Sequence, residues 1–288
     1  MIKYNPKSWI KLIFALHKSD TIRILWKELI YIGAFTLLTS FLVITYFPYK
    51  EILKELMAVY SLIGFVISLL LVFRTNTGYD RWWEGRKQWG MLVNNSRNLA
   101  IKLSSLLKEK EDRDYFERMI PNFVYAMKEH LRQGVDLEEL EITSEERGRF
   151  QEINHIPNEI VSMMYKKIHG LMEQGKITQE EFIVIDKNFN SLLDILGACE
   201  RIKNTPIPYS YSLFIKKFIF VYVTTIPLAF IPTFGYFSSL IATFVFYVLV
   251  SMEVLAEEIE EPFGEDDNDL PTGDLTLKIQ QNVRDIFK

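Results

Sequence analysis

The sequence predicts an all-α membrane protein with four transmembrane helices per chain and a helical cytoplasmic extension. Three long blocks, Leu29–Tyr49, Leu56–Phe73 and Phe218–Met252, contain no Asp, Glu, Lys, Arg or His, although 24% of the whole chain is charged. Apolar residues elsewhere recur at the spacing of amphipathic helices. No stretch alternates apolar and polar residues with the period of two that is typical of a half-buried strand.

The lengths of the apolar blocks set the number of spans. A helix needs about 20 apolar residues to cross the hydrocarbon core, so the first two blocks predict one span each. The third block is too long for one helix, and Pro232 and Gly235 predict a turn within it that joins two spans. The first block begins too late, and after too many charges, to be a cleaved signal peptide.

Lys and Arg residues near the ends of the spans predict the orientation, because short cytoplasmic segments carry an excess of them. These residues are Lys3, Lys7, Lys11, Lys18, Arg23, Lys27, Arg74, Arg81, Arg86, Lys87, Lys216 and Lys217. The turn between the last two spans carries no charge, so both termini and the middle of the chain are expected in the cytoplasm. The single cysteine, Cys199, fits a reducing compartment and excludes an intrachain disulfide.

The spans divide the chain into five regions. They are a cytoplasmic N-terminal region (1–28), transmembrane helices 1 and 2 (29–73), a cytoplasmic helical domain (74–217), transmembrane helices 3 and 4 (218–252) and a cytoplasmic C-terminal region with an acidic segment (253–288). The second span is expected to continue without a break into the cytoplasmic domain, and the most probable linker lies around Gly134–Ser144.

Apolar stripes predict the helices of the cytoplasmic domain. The first stripe is Leu92, Leu99, Leu103 and Leu106; the second is Phe116, Met119, Ile120, Phe123, Met127 and Leu131; the third is Phe182, Ile185, Phe189, Leu192 and Leu196. Pro121 predicts a kink in the second of these helices. Thr178 and Glu181 have the spacing of a capping box at the start of the third.

The spans exclude several classes of function. Ionisable residues within a span mark proton relays, coupling sites and buried catalytic groups, and the four spans contain none. The sequence also lacks inverted repeats, a phosphate-binding loop, a dinucleotide fingerprint and a cysteine-rich cluster. The four histidines, His17, His130, His155 and His169, are scattered, which favours solvated or packed roles. These absences argue against an enzyme.

The second span is the best candidate for a pore wall. Four short helices cannot enclose a pore within one chain, so a channel would need a ring of subunits that each contribute one helix. Phe65, Leu69 and Phe73 lie at i, i+4 and i+8 and therefore share one face of this helix. On the residues alone, packing against lipid or against a neighbouring helix is the favoured explanation of this stripe, because apolar stripes are the norm in such helices.

Three separated motifs resemble the bestrophin family of ion channels, and in particular its bacterial branch. They are "FRTNTGYDRWWEGRKQWG" at 73–90, "GACERIKNTPIPYSYSL" at 197–213 and "EVLAEEIEEPFGEDDNDLP" at 253–271. The triplet Arg81, Trp82 and Trp83 matches the signature of the animal members. The resemblance covers nearly the whole chain, and the motifs occur in the family's order.

The resemblance implies a homopentamer around one central pore in the inner membrane, with membrane lipid around it. Phe65, Leu69 and Phe73 match three apolar positions that line a narrow neck, and Ile207 matches a second constriction at the cytoplasmic exit. Pro206 and Pro208 restrict the backbone on both sides of Ile207, which would also suit a simple elbow before the third span. Arg81, Trp82 and Trp83 are expected to serve packing and subunit contacts. Nucleic acid is not an expected partner.

The permeant species implied by the resemblance are small monovalent ions. The family is best known for chloride and other anions, whereas some bacterial members favour monovalent cations. Acidic residues near a cytoplasmic mouth would favour cations by raising their local concentration. The residues therefore leave the sign of the ion open. Outside the resemblance, the competing interpretation is a membrane-anchored helical scaffold or interaction protein without ion flux.

The acidic segment resembles the calcium clasp of animal bestrophins, although no cofactor is required by the rest of the sequence. By this resemblance, Glu265, Asp266 and Asp269 match the calcium ligands of the animal proteins, and backbone carbonyls of the N-terminal region would complete the coordination shell. Calcium prefers six to eight such oxygen ligands. Two departures weaken the match, since Asn268 replaces an acid and Glu261 replaces an amide. A solvated acidic turn is the alternative.

Overall fold

A computed structural model of the protein describes residues 21–47 and 51–288, with side chains described for 21–47 and 53–288. These residues form ten α-helices and one 3-10 helix and contain no strand, so the all-α prediction is confirmed for them. The helices are α1 (Thr21–Tyr46), α2 (Glu51–Leu106), α3 (Lys110–His130), α4 (Ser144–Gln151), α5 (Ile156–Glu173), α6 (Gln179–Asn204), α7 (Tyr209–Thr225), α8 (Pro227–Phe234), α9 (Phe237–Glu260) and α10 (Thr272–Phe287). The 3-10 helix is Leu137–Glu139.

Four stretches of helix in the described residues are long and apolar enough to cross a membrane. They are Thr21–Tyr46, Leu53–Leu106, Tyr209–Phe234 and Phe237–Glu260. Each overlaps one of the predicted apolar blocks, and the first helix ends at Tyr46, before the predicted end of its block at Tyr49. All four helices also extend beyond the apolar stretch: α1 begins before it, at Thr21, and α9 continues past Met252 to Glu260. Among the described residues near the ends of the spans, the helices carry Arg23, Lys27, Arg74, Arg81, Arg86, Lys87, Lys216 and Lys217, whereas Lys3, Lys7, Lys11 and Lys18 lie outside the described residues.

Helix α2 is a single 56-residue helix, as expected from the unbroken pattern of the second span and the segment after it. It contains no proline, and its glycines serve close contacts rather than breaks. A Cβ at Gly64 would lie 2.6 Å from the Tyr222 hydroxyl, and one at Gly78 would lie 3.0 Å from the backbone oxygen of Ala256. Glycine therefore lets α2 approach its neighbours closely at these two positions.

The turn in the third apolar block differs in detail from the prediction. Pro232 lies inside α8 and does not form the turn, which falls at Gly235. Gly235 has φ +55°, a conformation that a residue with a Cβ rarely adopts. A second break comes earlier, where α7 ends at Thr225 and α8 begins at Pro227. Proline suits this first helical position because its missing N–H would have no partner there.

One of two compact units comprises the described part of residues 1–82 together with 206–261 and 266–268. Its core is apolar and draws on α1, α2, α7 and α9, and it contains Ile32, Ile67, Leu71, Ile215, Ile219, Tyr222, Val223, Ile226, Ala242, Phe246 and Leu249. Hydroxyl pairs join α1 to α9: Thr36 to Ser239 at 3.0 Å and Ser40 to Ser238 at 2.9 Å. Small hydroxyl residues of this kind allow close packing between membrane helices.

The other unit comprises residues 83–205, 262–265 and 269–288. Within it α3 packs against α5 and α10, and α5 packs against α6. The predicted stripes supply its core, since these members are buried: Leu92, Leu99, Leu103, Phe116, Met119, Ile120, Phe123, Met127, Leu131, Ile185, Phe189, Leu192 and Leu196. Leu106 and Phe182, at the ends of their stripes, are half-buried.

Local signals at the helix ends agree with the sequence. The predicted capping box of Thr178 and Glu181 is present at the start of α6. A second one, formed by Thr143 and Glu146, begins α4 at the end of the predicted linker. That linker also contains the 3-10 helix. Pro121 lies inside α3, and the kink expected there stays a prediction.

Candidate functional site

The candidate pore-lining stripe lies on the exposed face of α2. Phe65, Leu69 and Phe73 have exposed fractions of 66%, 44% and 55%, whereas Ile67 and Leu71 have 1% and 3%. The same helix therefore buries one apolar face in its own chain and leaves the other uncovered. A large exposed apolar surface of this kind is typical of a face that contacts lipid or another subunit, or that lines a pore.

A buried charge cluster lies directly behind the stripe. Arg74 follows Phe73 on α2 and is buried, and its Nη2 donates to Oε2 of Glu260 at 2.6 Å. Its Nε lies 3.7 Å from Oε2 of Glu253, which is also buried. Glu253 and Glu260 are seven residues apart on α9, so they share one face of that helix. Burying these charges is costly unless they stay paired, so the cluster fixes how α2 and α9 pack.

Ile207 is attached to the same cluster. Its backbone N–H donates to Oε1 of Glu260 at 2.7 Å, while the Ile207 side chain is half-buried. Pro208 is the N-cap residue of α7, with φ −52° and ψ 126°. Because Pro206 and Pro208 have no N–H, the one backbone donor of this triplet is the group that Glu260 binds. One carboxylate thus holds both Arg74 of α2 and the segment that carries Ile207.

The signature residues make contacts around the end of α9. The Nε of Arg81 donates to the backbone oxygen of Glu260 at 3.0 Å. The indole of Trp82 donates to the backbone oxygen of Asn268 at 3.0 Å and stacks on Tyr79 with ring centroids 6.1 Å apart. Trp83 is exposed, and the ammonium of Lys87 lies 5.9 Å from the centre of its ring. Arg81 and Trp82 are therefore engaged with the backbone.

The acidic segment contains carboxylates in different surroundings. Glu265 is exposed and pairs with Arg132 at 3.1 Å, while Asp269 is buried. Asp266 is exposed. The carbonyls expected to complete a calcium shell belong to the N-terminal region (1–28), of which residues 1–20 lie outside the described residues.

Asn268 has a specific role that explains its departure from the animal pattern. Its Nδ2 donates to Oε2 of Glu258 at 2.6 Å. A carboxylate at position 268 would have no proton to donate and would repel Glu258. The amide therefore stabilises the segment in a way that an acid in its place could not.

Two of the four histidines that are scattered in the sequence lie next to each other in the structure. His130 and His155 both place Nε2 at 2.8 Å from Oε1 of Glu200. Among the described residues this is the group of His, Cys, Asp or Glu side chains whose ligand atoms are close enough to share a metal ion. His169 instead packs against Phe182, with ring centroids 5.2 Å apart, and His17 lies outside the described residues.

The sequence reasoning missed both the charge cluster and the histidine pair. The seven-residue spacing of Glu253 and Glu260 was a usable signal, because it places both acids on one helix face directly after an apolar span. The histidine pair had no local signal, since its members come from separate helices.

The helices and the uncovered stripe define the class of this protein, which is an all-helical membrane protein built on four apolar helices. The model of the Bacterial/Fungal Bestrophin protein family matches residues 1–285. The chain is similar to a voltage-dependent anion channel-forming protein of Nostoc sp. strain PCC 7120, with 33% identity over 97% of this chain and 92% of the relative. It is also similar to the voltage-dependent anion channel-forming protein YneE of Escherichia coli K12, with 30% identity over 97% of this chain and 92% of the relative.

A comparison with solved structures also indicates the bestrophin family. A variant of the bacterial bestrophin homologue from Klebsiella pneumoniae aligns with a TM-score of 0.81 and 28% identity, covering 90% of this chain and 98% of that one. The chain belongs to the bacterial branch of the bestrophin family. It is therefore a channel protein of the membrane and not an enzyme.

Proposed function

We propose that the chain assembles as a homopentamer around one central pore and passes small monovalent ions through a hydrophobic neck formed by Phe65, Leu69 and Phe73. The observation that supports this most directly is the uncovered apolar stripe on α2, on a helix whose opposite face buries Ile67 and Leu71. In a ring of subunits the stripe would form three apolar rings, one helical turn apart.

Such a neck would gate by dewetting. An ion cannot exchange its hydration shell for hydrocarbon, so a narrow apolar ring excludes water and ions until it widens. The two Phe rings also present polarised edges to an anion and faces to a cation, so the neck alone does not set the sign of the permeant ion.

Ile207 would form the second constriction, at the cytoplasmic exit. The hydrogen bond from its backbone N–H to Glu260 holds this loop in place. The same carboxylate accepts a hydrogen bond from Arg74, the residue that follows Phe73 on α2. The two constrictions are therefore proposed to be coupled through one side chain. Arg81, Trp82 and Trp83 would contribute to packing and subunit contacts rather than touch the ions.

The proposed topology has four spans in the inner membrane, surrounded by lipid, with both termini in the cytoplasm. The N-terminal region (1–28), the middle domain (74–217) and the C-terminal region (253–288) would be cytoplasmic. Four apolar helices among the described residues support the number of spans by their length and composition. Labelling of single cysteines introduced into a Cys199→Ser chain, from either side of sealed vesicles, tests it.

We propose chloride or another monovalent anion as the permeant species, because the curated relatives above are named anion channel-forming proteins. Reversal potentials in a KCl gradient test this directly. A reversal at the chloride potential supports anion conduction. A reversal at the potassium potential would establish a monovalent-cation channel instead.

Calcium binding by Glu265, Asp266 and Asp269 is a separate proposal, supported by their oxygen ligands and by the acidic segment that holds them. Calcium titration of the wild type and of Asp269→Ala tests it. Weaker binding in the variant supports the proposal, whereas equal binding assigns the segment to a solvated acidic turn.

The decisive experiment combines the oligomeric state in detergent with ion flux in liposomes. The triple variant Phe65→Ala, Leu69→Ala and Phe73→Ala should remain pentameric and conduct with altered magnitude, because it widens the neck without touching the packed face. Phe244→Ala removes an equally exposed Phe from α9 and serves as the matched control, with unchanged flux. A monomer without flux would establish the scaffold interpretation.

A further inference from the structure

A cluster of two histidines and one glutamate lies within the unit formed by residues 83–205, 262–265 and 269–288. His130 is the last residue of α3, His155 is the N-cap residue of α5, and Glu200 lies on α6. All three side chains are half-buried. The fold thus brings three potential metal ligands together from three separate elements.

The ligand atoms converge on a small space. Both Nε2 atoms lie 2.8 Å from Oε1 of Glu200, and all three ligand atoms lie within 4.8 Å of one another. The rings of His130 and His155 have centroids 4.5 Å apart. A tetrahedral zinc ion about 2.0–2.1 Å from each ligand would hold these atoms roughly 3.4 Å apart. Small rotations of the three side chains would therefore bring their ligand atoms to the separations that a bound zinc ion requires.

We propose that His130, His155 and Glu200 form a binding site for a divalent transition metal ion, with Zn²⁺ as the ion. Two imidazoles and one carboxylate match a known ligand set of zinc, and they leave a fourth position for water. Imidazole nitrogen is a poor ligand for calcium and magnesium, which take oxygen. The site is thus distinct in residues and in ion preference from the proposed calcium segment.

An ion can reach the cluster from solvent. Glu200 lines an open surface groove of about 710 Å³ together with Asn158, Leu196 and Gly197. His130 lies at the C-terminal end of α3, where the free carbonyl groups favour a cation. Lys203 opposes this effect in part, since its ammonium bonds the backbone oxygen of His130 at 3.1 Å.

Metal coordination changes which nitrogen of each imidazole ring carries the proton. Each Nε2 now faces a carboxylate oxygen and donates to it, whereas a metal ion takes the lone pair of the same nitrogen, so the ring proton moves to Nδ1. In His155 the Nδ1 atom accepts a hydrogen bond from the backbone N–H of Asn158 at 3.3 Å. Metal binding therefore exchanges the two Nε2–Oε1 hydrogen bonds and one long capping hydrogen bond for coordinate bonds to the ion.

Binding should also stabilise the unit, because the ion joins α3, the start of α5 and α6, and an unfolded chain does not present these ligands together. A rise in unfolding temperature with Zn²⁺ concentration is thus a readout that is independent of ion conduction.

The test uses the full-length protein in detergent, titrated with ZnCl₂ by calorimetry and by thermal unfolding. We expect one Zn²⁺ per chain in the wild type. His130→Ala, His155→Ala and Glu200→Gln should each weaken binding by more than the roughly 100-fold loss that removing an outer-shell partner can cause. His169→Ala is the matched control, because this ring lies against Phe182, and it should bind as the wild type does.

Unfolding without metal identifies any variant that fails to fold, and crystals soaked in ZnCl₂ provide a second measurement that needs no variant. An anomalous peak at the zinc edge, between the two Nε2 atoms and Glu200, supports the proposal. The proposal is overturned if the wild type binds no Zn²⁺, or if His130→Ala and His155→Ala retain wild-type affinity, or if the soaked crystals show no peak there.

Discussion

Arg74 donates a 2.6 Å hydrogen bond from Nη2 to Oε2 of Glu260, and both side chains are buried. The other oxygen of this carboxylate accepts the backbone N–H of Ile207. Since Arg74 follows Phe73 on α2, a movement of α2 at this point would be transmitted to the loop that carries Ile207 in the proposed channel. Glu260 is thus the residue through which the neck and the aperture are proposed to communicate.

Glu260→Gln should destabilise the protein strongly. The substitution keeps the shape of the side chain but leaves the buried Arg74 without its closest counter-charge, and breaking a buried pair in this way costs about 3–5 kcal/mol. We expect a clear fall in the thermal unfolding temperature in detergent. Glu257→Gln is the control, because Glu257 pairs with Lys216 on the surface and such pairs contribute only about 0–1 kcal/mol. Equal effects of the two variants would contradict the role of Glu260.

Gly64→Ala should destabilise the packing of α2, and a second substitution should reverse this. The added Cβ would lie 2.6 Å from the Tyr222 hydroxyl, an overlap that costs about 1–3 kcal/mol. Tyr222→Phe removes that oxygen, and the next ring atom is 3.4 Å from the Cβ position, which is an acceptable contact. Thermal unfolding of both single variants and the double variant measures the coupling. Additive losses would refute the proposed overlap.

Glu146 should make the packing of α3 and α4 sensitive to acid. Burial alone would raise the pKa of this carboxyl, but hydrogen bonds from Arg118 at 2.6 and 2.8 Å, and from Thr143, outweigh it and lower the pKa below its ordinary value of 4.5. Because the pKa is lower in the folded state, the stabilisation is present above 4.5 and is lost as the pH falls through the folded-state pKa.

Glu146→Gln tests this, because Gln preserves the capping box while removing the charge. The variant should be less stable than the wild type at pH 7 by about 1.5–3 kcal/mol, the range for hydrogen bonds to charged groups. Unfolding temperatures measured at decreasing pH should converge below 4.5. Glu145→Gln, an exposed neighbour, should leave the wild-type profile unchanged. A constant difference at every pH would contradict the prediction.

Cys199 should be inert in the folded protein. It is fully buried, and burial, reinforced by Glu200 and Glu84, raises the pKa of its thiol to about 12. Because the thiolate is the reactive form, alkylation by iodoacetamide at pH 8 should be negligible in the native state and complete in denaturant. Mass spectrometry of the labelled chain measures this. Rapid labelling of the native protein would show that α6 opens readily.

The helical stripes and the apolar blocks were predictable because they depend on local periodicity. Phe116, Met119 and Ile120 form a stripe at helical spacing, and all three are buried as the stripe predicts. The turn of the third block was placed correctly at Gly235 and wrongly at Pro232, because proline is compatible with the body of a short helix while positive φ requires glycine.

The polar clusters were not predictable in the same way. His130, His155 and Glu200 are far apart in sequence, and no local pattern relates them. The partner of Arg74 depends on which face of α9 meets α2, and the role of Asn268 depends on the position of Glu258. These contacts follow from tertiary packing alone.

Composition and spacing were enough to predict that the chain is helical, that it contains four apolar helices and that one of them carries an apolar stripe. The hydrophobicity of a residue, and the face of a helix on which it lies, depend only on the residue and its near neighbours in the sequence. Tertiary structure decided that the stripe stays uncovered while Arg74 is buried, and that Glu260 holds Ile207. Such pairings depend on distances between segments, which no local pattern encodes.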